Sequence, residues 1–354
     1  MAIYLVNMLF LILFGFIFLL LRPSPQNKKT FCILATLQWI LLSGLRDKSV
    51  GADTLTYKLY FDAAKRYRWD DLWENFVSIM FRNGEGKDPG YLMIERAAHI
   101  ISDDYQVYLM LIGLFFTIPL GIWIYQNSKG PMISYLLYST LFYAFFAITG
   151  HRQTIATALV VLIGYRFVRD RKFLPFLLLI LIALPIHKSS ISYLPFFFLA
   201  HKKITKPYLA CMFGFIASAF VLKGPMIGIL GRFTGYEEYA RQAQGAGTWT
   251  FTGIMVIILG LAVWKHEAMI AENPDVTIYM NALLMAMVFV PLTFVEAATM
   301  RVVQYYSLYI VLMIPEIIST FREKERYVLG YAATVMLILL FVSNEQYYVF
   351  FWQK

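Results

Sequence analysis

Five arginines stand near the ends of apolar runs: Arg46, Arg82, Arg152, Arg232 and Arg301. The membrane face that their flanks assign them to normally excludes Lys and Arg. A guanidinium there calls for an anionic partner, and phosphate or diphosphate fits its planar fork of donors. Groups that could complete a reaction centre lie beside these arginines. In the stretch from Gly44 to Thr54, followed by Tyr57, Arg46 closes an apolar run and Asp53 stands at a helix N-cap position. A carboxylate there could orient or deprotonate a hydroxyl. Gly150-His151-Arg152-Gln153 opens a helix after almost no loop, which suits anion binding. His187-Lys188-Ser189-Ser190 places an imidazole, a base near neutral pH, at a turn. Glu296 and Arg301 bracket another turn, with Tyr305 four residues past Arg301 on the same helical face. Asp88-Pro89-Gly90-Tyr91, with Glu95, reads as a turn and a helix start. Each stretch has a plainer alternative: a cap, headgroup snorkelling, a packed histidine, or mutual neutralisation of Glu and Arg.

These groups need a frame, and composition says which. The 354 residues are 59% hydrophobic and only 15% charged. A soluble domain carries roughly a quarter charged residues. Apolar runs of about 20 residues recur, the length that spans a bilayer. The net charge of +9 is scattered through short loops, not gathered into a nucleic-acid stripe. Cys32 and Cys211 both lie in apolar runs, without a disulfide framework or zinc spacing. The first run lacks a basic flank and a cleavage site, and is expected to be retained. No P-loop, HExxH, GxSxG, dinucleotide glycine fingerprint or DxD occurs, so neither cofactor nor metal is expected.

The expected fold is all-α: a single polytopic transmembrane domain over 1–354, with about twelve spans and an outward cavity. The spans are 2–21, 31–45, 105–125, 132–149, 154–169, 173–186, 189–200, 207–223, 251–265, 277–295, 302–318 and 327–343. Basic clusters at Arg22/Lys28/Lys29, Arg169/Arg171/Lys172, Lys202/Lys203/Lys206 and Arg322/Lys324/Arg326 then share the cytoplasmic side, and both termini lie outside. Residues 173–200 are too few for two ordinary spans, so a short hairpin turning at Pro185–Lys188 is expected. Two outer segments follow. Residues 46–104 should hold short helices at 53–68 and 70–82, a polar turn from Asn83 to Pro89, and a further helix over Gly90–Ile101. Residues 224–250 suit a lid. Outer tyrosines Tyr57, Tyr60, Tyr67, Tyr91, Tyr236 and Tyr239 fit either an interfacial belt or a carbohydrate groove.

GLRDKSVGADTLTY at 44–57, DPGY at 88–91 with Glu95, GHRQTIA at 150–156, IHKSSI at 186–191 and Arg301 together resemble the EpsG family of Wzy-type polysaccharide polymerases. Ala52 and Ile186 depart from the pattern, where Thr and Phe are expected. The resemblance covers most of the chain. It implies a metal-independent GT-C-type glycosyltransferase in the bacterial cell membrane, acting on the extracytoplasmic side. It further implies joining of O-antigen or exopolysaccharide repeat units carried on undecaprenyl pyrophosphate. A flippase and a chain-length regulator follow as partners by analogy alone. On this reading Arg46, Arg152 and Arg301 bind the pyrophosphate, and Asp53 or His187 is the base. Tyr57, Tyr91, Glu95, Gln153, Lys188 and Tyr305 contact the rest of the substrate. The competing classes are a lipid-linked oligosaccharide transporter and an O-antigen ligase.

Overall fold

The computed structural model describes residues 2–234, 248–343 and 347–353, with the side chains of Ala2 and 229–234 outside the description. These residues are helical almost throughout, with one isolated antiparallel bridge, Arg46 to Phe350, and no strand. Six helices are long and apolar enough to cross a membrane: Ile3–Leu21, Tyr105–Asn127, Lys206–Gly228, Trp249–Glu272, Val276–Phe294 and Glu323–Val342. A pair bent by 45°, Ala297–Ser307 with Ile310–Ser319, makes a seventh if it counts as one span. The chain is therefore a multi-pass membrane protein.

The other expected spans take shorter or broken forms. Residues 31–45 fall in the Pro25–Gly44 helix, whose first turn is polar. Residues 132–149 divide into Pro131–Leu141 and the wide-turned Ala144–Thr149. Residues 154–169 divide into His151–Thr157, wide-turned Ala158–Ile163 and Tyr165–Arg169. Each wide stretch closes on a glycine amide reaching back five residues: Gly150 to the Phe145 carbonyl at 2.8 Å, Gly164 to that of Leu159 at 2.9 Å. Such wide turns are rare, and they recur at functional sites.

Contacts sort the connections into two groups. In one, Lys28 donates to the Ser128 carbonyl, and Lys129 pairs with Glu272 and Glu316. Tyr165 donates to Asp275, His201 bonds the Val168 carbonyl, and Asn281 donates to the carbonyls of Ala200 and Lys202. The four expected basic clusters flank these connections. In the other group, Tyr4 packs on Tyr348, and Arg46 donates to the Ile148 carbonyl. Gln106 donates to the Arg46 carbonyl, Asp88 meets Arg152 and His187, and Gln153 donates to the Arg301 carbonyl. Arg46, Arg152, Gln153, His187 and Arg301 all belong to this second group.

The 173–200 segment folds back on itself. Phe173 packs on Phe197 with ring centroids 5.1 Å apart, and Phe176 on Tyr193 at 6.1 Å. The halves are the Phe173–Ala183 helix and the short turns Lys188–Tyr193 and Phe196–Leu199, with His187 at the tip. The short helices of the 46–104 segment are Thr54–Ala64, Trp69–Phe81 and Pro89–Ala98. The tenth-to-eleventh connection is also helical, at Ala297–Thr299. The Lys206–Thr234 helix continues beyond the expected end at 223, because Pro225 is accommodated and an apolar run follows it. Of the expected lid at 224–250, residues 224–234 continue this helix and 249–250 open the next, while 235–247, with Tyr236 and Tyr239, lie outside the described residues.

Tyrosine is a core residue here as well as a surface one. Tyr135, Tyr138, Tyr193, Tyr279, Tyr305, Tyr306 and Tyr309 are fully buried. Their hydroxyls find partners where they can: Tyr193 with Tyr309 at 2.9 Å, Tyr135 with Thr36 at 2.7 Å. A buried phenol needs such a bond to offset its lost hydration.

Candidate active site

Asp88 gathers the site. It is buried, in the left-handed region at φ 51°, directly before the Pro89–Ala98 helix. That backbone is costly for a residue with a Cβ and is kept only where surroundings enforce it. Enforcement comes from the hairpin tip. The Gly90 amide donates to the Pro185 carbonyl at 2.9 Å, and a Cβ on Gly90 would sit 3.0 Å from the Pro185 Cβ. With the two backbones this close, the Asp88 carboxylate meets three groups. Arg152 Nη1 donates to Oδ2 at 2.9 Å, the Lys188 amide to Oδ1 at 3.0 Å, and His187 Nδ1 lies 3.4 Å from Oδ2. Burial alone would raise the carboxyl. The His187 hydrogen bond and charge, the Arg152 guanidinium and the Lys188 amide outweigh it and hold Asp88 below the usual carboxylate range.

This contact sets the His187 tautomer. An ionised carboxylate only accepts, so Nδ1 carries the ring proton and Nε2 the lone pair. Nε2 is buried without a protein partner. Burial lowers the proton affinity of the ring, Asp88 raises it, and Arg301 and Arg152 lower it again.

His187, Arg152 and Arg301 line one narrow hollow with Asp53, Tyr57, Gln153, Gly150 and Phe145, whose free volume is about 10 Å³. Six of these are residues singled out from sequence. The Gly150 position must lack a side chain, since a Cβ would lie 2.5 Å from the Phe145 ring. Arg152 lies 5.8 Å from the centre of the Tyr57 ring. Gln153 Nε2 donates to the Arg301 carbonyl at 2.6 Å, tying the two arginine-bearing helix starts together. Among the described residues no carboxylate lies within ion-pair distance of Arg301. Glu296, its expected neutraliser, instead caps the following turn by accepting from the Ala298 amide at 2.9 Å. Asp53 holds the N-cap position of Thr54–Ala64 but makes no capping bond and is exposed at the rim.

A second layer lies behind the Tyr57 wall. Arg46 is fully buried, and its guanidinium is committed to the carbonyls of Ser43 and Ile148 and to His151 Nε2 at 2.9 Å. Arg46 does not line the hollow with Arg152 and Arg301. Because Arg46 can only donate, His151 Nε2 must accept, which places the ring proton on Nδ1, 3.4 Å from the Tyr91 hydroxyl. Tyr57 stacks flat on His151, centroids 4.3 Å apart and planes 16° apart. Tyr91 in turn bonds Glu95. Glu95 is 1% exposed with Oε1 unpartnered, and burial pushes its carboxyl up to about 8, against the Tyr91 bond and the Arg152 charge.

The remaining sequence candidates sit further back. Lys188 contributes its backbone amide to Asp88, and the buried Tyr305 hydroxyl pairs with Ser189 at 3.0 Å. Arg82 is exposed at the end of Trp69–Phe81, and the Arg232 side chain lies outside the described residues. Sequence reasoning read Asp88 only as a turn residue, placed His151 in the 150–153 stretch without a role of its own, and passed over Phe145. Asp88 carried one signal, an acid directly before Pro-Gly, but its partners are 64 to 100 residues away in the chain.

The profile of the EpsG family matches residues 29–352. The chain belongs to the EpsG family. That family is related to Wzy-type polymerases, and the stretches that carried the resemblance fall within the match. No curated protein and no solved structure matches this EpsG-family chain.

Proposed function

We propose that this EpsG-family protein is a glycosyltransferase that polymerises oligosaccharide repeat units carried on a polyprenyl diphosphate. In this reading twelve crossings put both termini and the hollow on the extracytoplasmic side, with the basic connections in the cytoplasm. The two-level sorting of contacts supports it.

The observation that carries the proposal is the pairing, in one hollow, of two guanidiniums with an imidazole whose Nε2 has no protein partner. Arg301 and Arg152 hold the diphosphate of the donor. Arg152 leaves Asp88 in part to do so, and both stabilise charge as the anomeric C–O bond breaks. The acceptor hydroxyl of a second lipid-linked unit attacks the anomeric carbon. His187 Nε2 takes its proton, and the lipid diphosphate leaves with the bonding electron pair. Asp88 steadies the imidazolium through Nδ1. The diphosphate also neutralises the two cations that depress His187, so donor binding itself strengthens the base. Asp53, at the rim, orients the acceptor. Tyr57, backed by His151 and Tyr91, offers a ring face to a sugar, and Arg46 holds that backing in place.

Purified protein, given lipid-linked repeat units and no nucleotide, should form a ladder of lengthening chains on a gel. Unchanged substrate would favour a transporter. A single transfer to a foreign acceptor would favour a ligase.

A further inference from the structure

The first and last crossing helices of the described chain leave a cleft at the end away from the hollow. Near the hollow they touch: Tyr4 meets Phe341 edge-on, centroids 6.3 Å apart. Toward the other end, Phe16 and Leu20 on one side and Tyr331 and Val335 on the other wall a groove of about 1630 Å³. Met132 closes its back. Gly15 allows this approach, since a Cβ there would lie 2.3 Å from the Met132 sulfur. Only 11% of the apolar window of Glu323–Val342 is buried within the protein.

The mouth of the groove is charged. Its lining holds three cations, Lys28, Lys129 and Arg326, against one carboxylate, Glu323. Lys129 is committed to Glu272 at 2.7 Å and Glu316 at 3.1 Å. Lys28 donates to the Ser128 carbonyl at 2.9 Å and lies 5.7 Å from the centre of the Tyr125 ring. Arg326 Nε donates to the Phe321 carbonyl at 2.5 Å. Among the described residues, neither Lys28 nor Arg326 has a carboxylate within ion-pair distance.

We infer that this groove is a binding site for an anionic phospholipid of the surrounding leaflet, its acyl chains between the first and last helices and its phosphate between Lys28 and Arg326. Apolar walls ending in a cationic mouth reproduce the layout of one such molecule. A neutral lipid would fill the walls and leave Lys28 and Arg326 without an anion in contact. Free phosphate would meet the cations and leave the walls empty. Basic recesses between spans on the side of the positive loops take anionic headgroups for the same reason. The site is separate from the hollow and stands whether or not the polymerase reading holds.

The test uses the full chain, purified in neutral detergent. Phosphatidylglycerol and phosphatidylcholine compete for it, and bound lipid is counted by native mass spectrometry. Two cations without a contacting carboxylate predict a preference of about thirtyfold for phosphatidylglycerol. Lys28→Gln with Arg326→Gln should reduce that preference to near one while phosphatidylcholine binding is kept, which shows that the fold survives. If the double variant misfolds, each single variant is read instead and should lose about fivefold. Equal retention of the two lipids by the natural protein overturns the proposal. So does an unchanged preference in the variants. Inorganic phosphate stabilising the protein as well as phosphatidylglycerol does would also overturn it, as would preferential displacement of phosphatidylglycerol by a polyprenyl phosphate.

Discussion

Asp88 grips the Arg152 guanidinium, the His187 ring and the Lys188 amide with one carboxylate, so its replacement separates shape from charge. Asp88→Asn keeps the outline and removes the charge that steadies imidazolium. Turnover should fall by roughly 10²–10⁴-fold. The acid limb of the pH–rate profile should move to lower pH, because a carboxylate that raises the His187 proton affinity is gone. A purely structural role would lower turnover without moving that limb. For the arginines, Arg152→Lys and Arg301→Lys should each cost roughly 10²-fold or more in chain formation at unchanged expression, since lysine cannot make the bidentate contact. Glu95 makes a different prediction. Its folded proton affinity is raised from 4.5 to about 8, so its contribution to stability is complete below about pH 4.5 and is lost as pH climbs through about 8. Thermal unfolding of the purified protein should therefore show a fall over that range, on the order of a few kcal/mol, that Glu95→Gln flattens. An identical slope in the variant would mean that Glu95 is ionised when folded.

At the scale of elements, two glycines allow close approaches where the site is built. Gly90 brings the Asp88 turn onto the hairpin tip, and Gly150 makes room for the Phe145 ring. Gly90→Ala should push Asp88 away from His187 and lower turnover severalfold or more, at an overpacking cost of about 1–3 kcal/mol. Full activity with normal stability would show that the close approach is dispensable. These elements also explain what was legible in the sequence. The helices of the 46–104 segment and the 173–200 hairpin followed from amphipathic spacing and from a length too short for two full spans. The broken helices at 144–163 did not, because wide turns carry no periodic signature. Arg46 was misleading for a related reason. It ends an apolar run just as Arg152 begins a helix, but the run ends inside the protein, where carbonyls of Ser43 and Ile148 take its donors. Asp88 was read only as a turn residue, because its partners are brought to it by tertiary folding.

At the scale of the whole molecule, the two groups of connections give a topology that labelling can check. A cysteine at Arg82 should react with an impermeant maleimide added to intact cells with a permeabilised outer layer, and one at Lys203 should react only after lysis. The reverse pattern would invert the proposed orientation and move the hollow to the cytoplasm. The proposed function rests on one physical idea, that two guanidiniums grip the diphosphate of a lipid-linked sugar beside a prepared base. Titration of undecaprenyl diphosphate into the detergent-purified protein by calorimetry measures that grip without requiring turnover. Binding should weaken about tenfold or more in Arg301→Ala and again in Arg152→Ala, and should be unaffected in Arg82→Ala. Equal affinity in all four proteins would contradict the account at its centre.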